Sequence, residues 1–197
     1  SAASDMYKRQ VFNKSRCSRS SICKFKMNLK DYIREISDYP KKGVSFKDIS
    51  TLVSNVDAFK YCLNEMSKNI LNIQKDIDYL ASIDARGFIF GSALSDRLSL
   101  PNILIRKKGK LPPPVISQTY DLEYGQNEIQ VSKSILPKNK NILIIDDLIA
   151  SGGSAQASSE LLELSGNNVI GICVGIKLSY LKPEQIFKKD ILSVCDY

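Results

Sequence analysis

The run Asn-Ile-Leu-Ile-Ile-Asp-Asp-Leu-Ile-Ala-Ser-Gly-Gly-Ser at residues 141–154 constrains the fold more than any other stretch of this chain. Its four consecutive apolar residues, Ile142, Leu143, Ile144 and Ile145, predict a strand buried on both faces, as in a parallel sheet. Asp146 and Asp147 stand where that strand is expected to end. Ala150, Ser151, Gly152, Gly153 and Ser154 then lead into a helical pattern over residues 155–165. A glycine turn feeding a helix aims several backbone N–H groups, and the positive end of the helix dipole, at one point. Such a point is a socket for a phosphate. Carboxylates at a strand's carboxyl end beside it suit a sugar with hydroxyls on one side and a phosphate on the other. The plainer alternative is a strand–helix corner with solvent-facing aspartates. No Walker lysine and no G-x-G-x-x-G spacing accompany the glycines, which disfavours a P-loop nucleotidase or a dinucleotide binder.

Strand patterns at about residues 77–83, 102–105 and 168–177 alternate with helical ones at about 56–74 and 88–98. That alternation predicts an α/β fold with a mainly parallel, twisted sheet flanked by helices. Residues 28–39 carry a helical spacing ended by Pro40, and residues 41–48 are expected to form a loop. Residues 107–125 form a long excursion containing Pro112, Pro113 and Pro114, with strand-like pieces at 115–120 and 128–132 around its tip. Excursions of that length inside a compact domain are usually functional lids or disordered.

At 197 residues the chain fits one domain. No stretch approaches the ~18 apolar residues of a membrane span. The net charge of +7 is concentrated at the start. Lys8, Arg9, Lys14, Arg16, Arg19, Lys24 and Lys26 face only Asp5, which leaves a net of +1 for residues 28–197. Residues 1–27 therefore read as a disordered basic leader, with an organelle address or a functional basic arm as alternatives. Residues 28–197 form the folding unit. The five cysteines are scattered, without a C-x-x-C pair, and suit a reducing, cytoplasmic setting. With no histidine in the chain, acid/base work must fall to Asp, Glu, Lys or Tyr.

Three further segments carry chemistry. Asp84, Ala85, Arg86 and Gly87 form a second strand–helix corner, where an arginine would suit a pyrophosphate. Arg106, Lys107, Lys108 and Lys110 crowd four cations into five residues, either a solvated face or a clamp on a leaving pyrophosphate held in the same or a partner subunit. The run Tyr-Asp-Leu-Glu-Tyr-Gly at 120–125 could swing over bound substrates, or could be an ordinary hairpin edge.

Taken in order, these segments resemble the type I phosphoribosyltransferases, and the Asp-Tyr-Pro-Lys-Lys-Gly-Val-Ser-Phe-Lys-Asp-Ile loop at 38–49 and the Leu-Glu-Tyr-Gly lid resemble their adenine-specific branch. The resemblance covers about residues 28–190 and implies that fold, with a small N-terminal purine-binding hood and a flexible catalytic loop. It implies conversion of adenine and 5-phosphoribosyl 1-pyrophosphate (PRPP) to AMP and pyrophosphate in purine salvage, by a homodimer that uses Mg²⁺. Neither nucleic acid nor membrane is an expected partner. Phe46 would stack on adenine while the backbone of Ser45 and Lys47 reads its edge. Asp146 and Asp147 would hold the ribose, and residues 150–154 the 5′-phosphate. Asp84, Ala85 and Arg86, with Arg106, Lys107 and Lys110, would meet pyrophosphate, and the 84–85 peptide would be cis. Glu123 would be the general acid/base, with Tyr124 closing over the reacting centre. The metal would be held mostly through substrate and water, so no residue is assigned as its ligand. Departures from the family pattern are serines at 151 and 154 in place of threonines, Lys47 for a common arginine, and Ala85 for a serine. Two rivals stand beside this expectation: the same fold acting on another base, and a non-enzymatic PRPP-sensing regulator.

Overall fold

A computed structural model describes residues 27–122 and 125–197. All of the basic leader except Met27, and the lid pair Glu123 and Tyr124, lie outside the described residues. Five parallel strands make the centre: β3 (Tyr79–Ile83), β4 (Asn102–Lys107), β7 (Asn141–Ile149), β8 (Asn168–Lys177) and β9 (Asp190–Asp196). Their order is β4-β3-β7-β8-β9. An antiparallel hairpin, β5 (Val115–Leu122) and β6 (Gly125–Ser132), extends the sheet to seven strands through β6 beside β4. A separate two-stranded hairpin pairs β1 (Arg34–Ser37) with β2 (Ser45–Asp48).

The isoleucine-rich strand at the centre explains the layering. Ile142 and Ile144 pack in one apolar cluster and Leu143 and Ile145 in the other, all at most 1% exposed. Alternation along one strand therefore feeds two cores, each side chain contributing about 1.5–3 kcal/mol relative to exposure. One core is closed by α2 (Val56–Leu71) and α3 (Gly87–Leu98), the other by α4 (Gly153–Glu163). A short helix, α1 (Ser50–Ser54), precedes α2. The apolar stripe of α2 buries Leu63, Met66 and Ile70 as its spacing predicts, while Phe59 and Ile73 are only partly covered.

Three expectations need correction. Residues 28–39 are not a helix: a 3-10 turn at Leu29–Tyr32 gives way to β1, and half of the expected loop at 41–48 is its partner strand. About two turns of helical spacing are a weak signal against strand pairing, because a short helix must first bear its nucleation cost. The hairpin gains register pairs from Arg34↔Asp48 to Ser37↔Ser45 and an Arg34–Asp48 ion pair of 2.5 Å. Next, β7 does not stop before Asp146; it runs to Ile149, because β8 continues beside it as far as Ile149↔Lys177. Finally, α4 begins at Gly153, two residues ahead of its expected start.

The start of α2 offers a direct check. The Asn55 side chain accepts hydrogen bonds from the backbone N–H groups of Asp57 (3.2 Å) and Ala58 (3.0 Å). Asn55→Ala is expected to cost about 1 kcal/mol, or about 2–4 °C in thermal midpoint, and Asn55→Asp to restore it. Equal midpoints for Asn55→Ala and wild type in calorimetry would rule out this cap as a contributor.

Candidate active site

The site opens where the parallel strands part. β3 stays beside β7 only to Ser82↔Ile145, whereas β8 follows β7 four residues further. Beyond Ile145 one edge of β7 is therefore free, at the carboxyl end of the sheet, where open α/β sheets bind ligands. A cleft of about 930 Å³ occupies this place. It is lined by Asp84, Ala85, Arg86, Lys107, Asp146, Asp147, Ala150, Ser151, Gly152, Gly153 and Ser154. Eleven of the residues singled out from sequence thus share one cavity.

Its floor is acidic. Asp147 is 3% exposed, and Arg86 Nη2 lies 3.1 Å from its Oδ2. That oxygen is buried and accepts no hydrogen bond, so the guanidinium meets it as a charge rather than as a donor. The Asp147 N–H donates to Asp146 Oδ1 at 2.8 Å. Burial pushes the Asp146 carboxyl well above the ordinary carboxylate range, and the charge of Asp147 adds to the rise. Asp147 is also raised by burial, with Arg86 acting against it. Two carboxylates compete here for one guanidinium. The corner that supplies Arg86 contains a cis Asp84–Ala85 peptide, as expected from the resemblance. Gly87 lets that corner close on β7, since a Cβ there would stand 2.8 Å from Asp146 Oδ1 and 3.0 Å from the Ile145 carbonyl.

The opposite wall is the turn at 150–154, where a phosphate is expected. Gly152 has φ +93°, the left-handed region that favours glycine, and it caps α4. A Cβ there would also meet the Pro183 carbonyl at 2.9 Å. The turn is thus bent by its own backbone and pressed from behind. Tyr120, which begins the run expected to cover substrates but carries no expected contact of its own, reaches in from β5 and lines the cleft, with its Oη 3.3 Å from Ser154 Oγ. Only the tertiary fold brings these two together; strand alternation alone did not mark Tyr120.

The remaining predicted residues sit at the margins. Arg106 pairs with Asp84 Oδ2 at 3.4 Å and donates to the Lys110 carbonyl at 3.2 Å, so it braces the corner rather than lining the cleft. Lys110 is exposed and outside the lining. Ser45, Phe46 and Lys47 lie on β2, likewise outside it, but the Arg86 guanidinium is 5.5 Å from the Phe46 ring centroid. The Lys47 side chain turns away: it is 5% exposed, 2.7 Å from Glu35 Oε2, and its Nζ is 4.1 Å from the Tyr197 ring centroid.

A stability consequence follows from the floor. A carboxyl whose pKa is raised by folding stabilises the native state below its unfolded value, about 3.9, and that contribution is lost as pH rises through the folded value. Asp146→Asn keeps an acceptor for the Asp147 N–H without the charge. It is expected to raise the thermal midpoint of the free protein by about 2–4 °C near pH 7.5, with the gain vanishing toward pH 4. A midpoint that falls at both pH values would contradict a strained acid pair.

The comparisons with known proteins agree with this geometry. The family model for the phosphoribosyl transferase domain matches residues 52–194. The adenine phosphoribosyltransferase of Pelagibacter ubique is 47% identical over 152 residues, spanning 77% of this chain and 86% of that protein. The solved structure of the adenine phosphoribosyltransferase from Thermoanaerobacter pseudethanolicus superposes with a TM-score of 0.81 at 36% identity, covering 86% of this chain and 98% of its own. That of the Giardia lamblia enzyme complexed with 9-deazaadenine gives 0.78 at 32% identity, covering 87% and 98%. With a cleft built from the very residues that its sequence marked out, the chain belongs to the adenine phosphoribosyltransferase family.

Proposed function

We propose that the protein transfers the 5-phosphoribosyl group of PRPP to adenine, releasing pyrophosphate and forming AMP, and that residues 28–197 act as one catalytic domain. One observation carries this: an acid pair, an arginine corner and a phosphate socket line a single cleft at the carboxyl end of the sheet. The deazaadenine-bound Giardia relative supports adenine as the base.

The roles follow from charge. The socket at 150–154 holds the 5′-phosphate with backbone N–H groups and the hydroxyls of Ser151 and Ser154. Asp146 and Asp147 accept from the ribose hydroxyls and face the positive charge that develops at the anomeric carbon as the pyrophosphate departs. Arg86 and Lys107 receive the leaving pyrophosphate, and Arg106 keeps Asp84 in place for it. Phe46, beside Arg86, stacks on the base, while the β2 backbone at Ser45 and Lys47 reads its edge. With no histidine in the chain, Glu123, between β5 and β6, exchanges the purine ring proton, and Tyr124 covers the reacting centre.

The donor set fits Mg²⁺. Adjacent carboxylates, with the buried Asp147 Oδ2 accepting no hydrogen bond, suit an ion that keeps several waters and binds substrate oxygens. When bound, the metal neutralises pyrophosphate charge. A homodimer is proposed on the strength of exposed apolar side chains, Ile89 on α3 and Leu104 on β4. The buried free thiols of Cys62, Cys173 and Cys195 support a cytoplasmic setting.

An assay with PRPP, Mg²⁺ and a panel of free bases tests the proposal. Adenine is expected to be consumed at a kcat/KM at least about 10⁴-fold above hypoxanthine or guanine, since a mismatched edge leaves buried groups unpaired. Preference for an oxopurine would assign the fold to another base. Binding of PRPP without turnover of any base would favour the regulator.

A further inference from the structure

We propose that the hydroxyl of Tyr120 is itself a ligand of the 5′-phosphate, so that the substrate's phosphate ties the β5–β6 hairpin to the phosphate loop. This rests on the assignment of residues 150–154 as the phosphate socket.

Tyr120 lies on β5, two residues before that strand ends at Leu122, and lines the same cleft as Ser151, Gly153 and Ser154. Its Oη is 3.3 Å from Ser154 Oγ, and either atom could donate. Good O–H···O bonds measure about 2.5–3.0 Å, so this one is long and weak. Both hydroxyls gain by turning their protons to a phosphate oxygen, because a hydrogen bond to an anion is roughly twice as strong as one between neutral groups. The fold fixes where Tyr120 stands. β5 pairs with β6 along its length, including Tyr120↔Asn127. It is also held to α4, whose first turn carries Ser154, by Gln118 Nε2 donating to Glu160 Oε2 at 2.8 Å. Glu123 follows three residues after Tyr120 in the sequence. Occupancy of the socket is thereby coupled to the segment bearing the proposed acid/base, with no further element required.

Calorimetric titration of the full chain with AMP tests this, using Tyr120→Phe, Ser154→Ala and the double variant. Tyr120→Phe is expected to weaken AMP about tenfold or more, the usual effect of removing a hydrogen bond to a charged group. Its thermal midpoint is expected to stay near wild type. In the Ser154→Ala background the same change is expected to weaken AMP a further several-fold. No further loss there would mean that Tyr120 acts only by holding Ser154, and a single-variant effect below twofold would remove it from the site; either result overturns the proposal. If Ser154→Ala alone binds AMP like wild type, the socket assignment falls, and this proposal with it.

Discussion

Asp146 and Asp147 place two carboxylates on consecutive residues, and a single guanidinium, Arg86, meets one of them at 3.1 Å. Burial opposes ionisation of both carboxyls, and at Asp146 the charge of Asp147 adds to it, which is why both rise above their ordinary range. Relaxation would be the easy outcome, but the strand cannot slip. Ile142, Leu143, Ile144 and Ile145 fill two cores immediately upstream, and β8 holds the strand in register downstream. The negative charge therefore waits for a cationic partner. In the proposed reaction, an oxocarbenium-like centre and a hydrated magnesium ion would be such partners. Preorganised charge of this kind stabilises a transition state because no reorganisation is left to do when it forms.

Around that pair the chain makes two close approaches that side chains would prevent. Gly87 brings the arginine corner onto Asp146, and Gly152 turns the phosphate loop in front of Pro183. Each sets a wall of one cleft, so the separation between the two proposed subsites, for pyrophosphate and for the 5′-phosphate, follows from backbone geometry. The β1–β2 hairpin is held from outside. Lys47, pinned between Glu35 and the Tyr197 ring, ties β2 to β1 and to the end of β9's run. Its charge serves the hairpin's position, and the role proposed for Lys47 calls only on its backbone.

Much of this was legible in the sequence because it depends on short-range signals. A run of four aliphatic residues followed by acids, glycines and hydroxyls fixes a strand, a turn and a helix start within 14 residues, and the strand–helix alternation then fixes the sheet. What escaped depends on partners distant in the chain. The length of β7 is set by β8, so the acids lie within the strand instead of after it. β1 forms only because Ser45–Asp48 comes to pair with it, overriding the helical spacing over residues 28–39. Arg106 looked like one more cation in a basic run; its bond to Asp84, 22 residues away, makes it a brace. Tyr120 meets Ser154 across 34 residues, a contact that no local pattern encodes.

A crystal structure of the protein soaked with AMP is the most direct measurement of where the chemistry sits. The phosphate is expected in the turn at 150–154, the ribose hydroxyls on Asp146 and Asp147, and the purine against Phe46. A nucleotide bound with its phosphate at the Asp84–Arg86 corner, or with its sugar away from the acid pair, would contradict the assignment of this cleft.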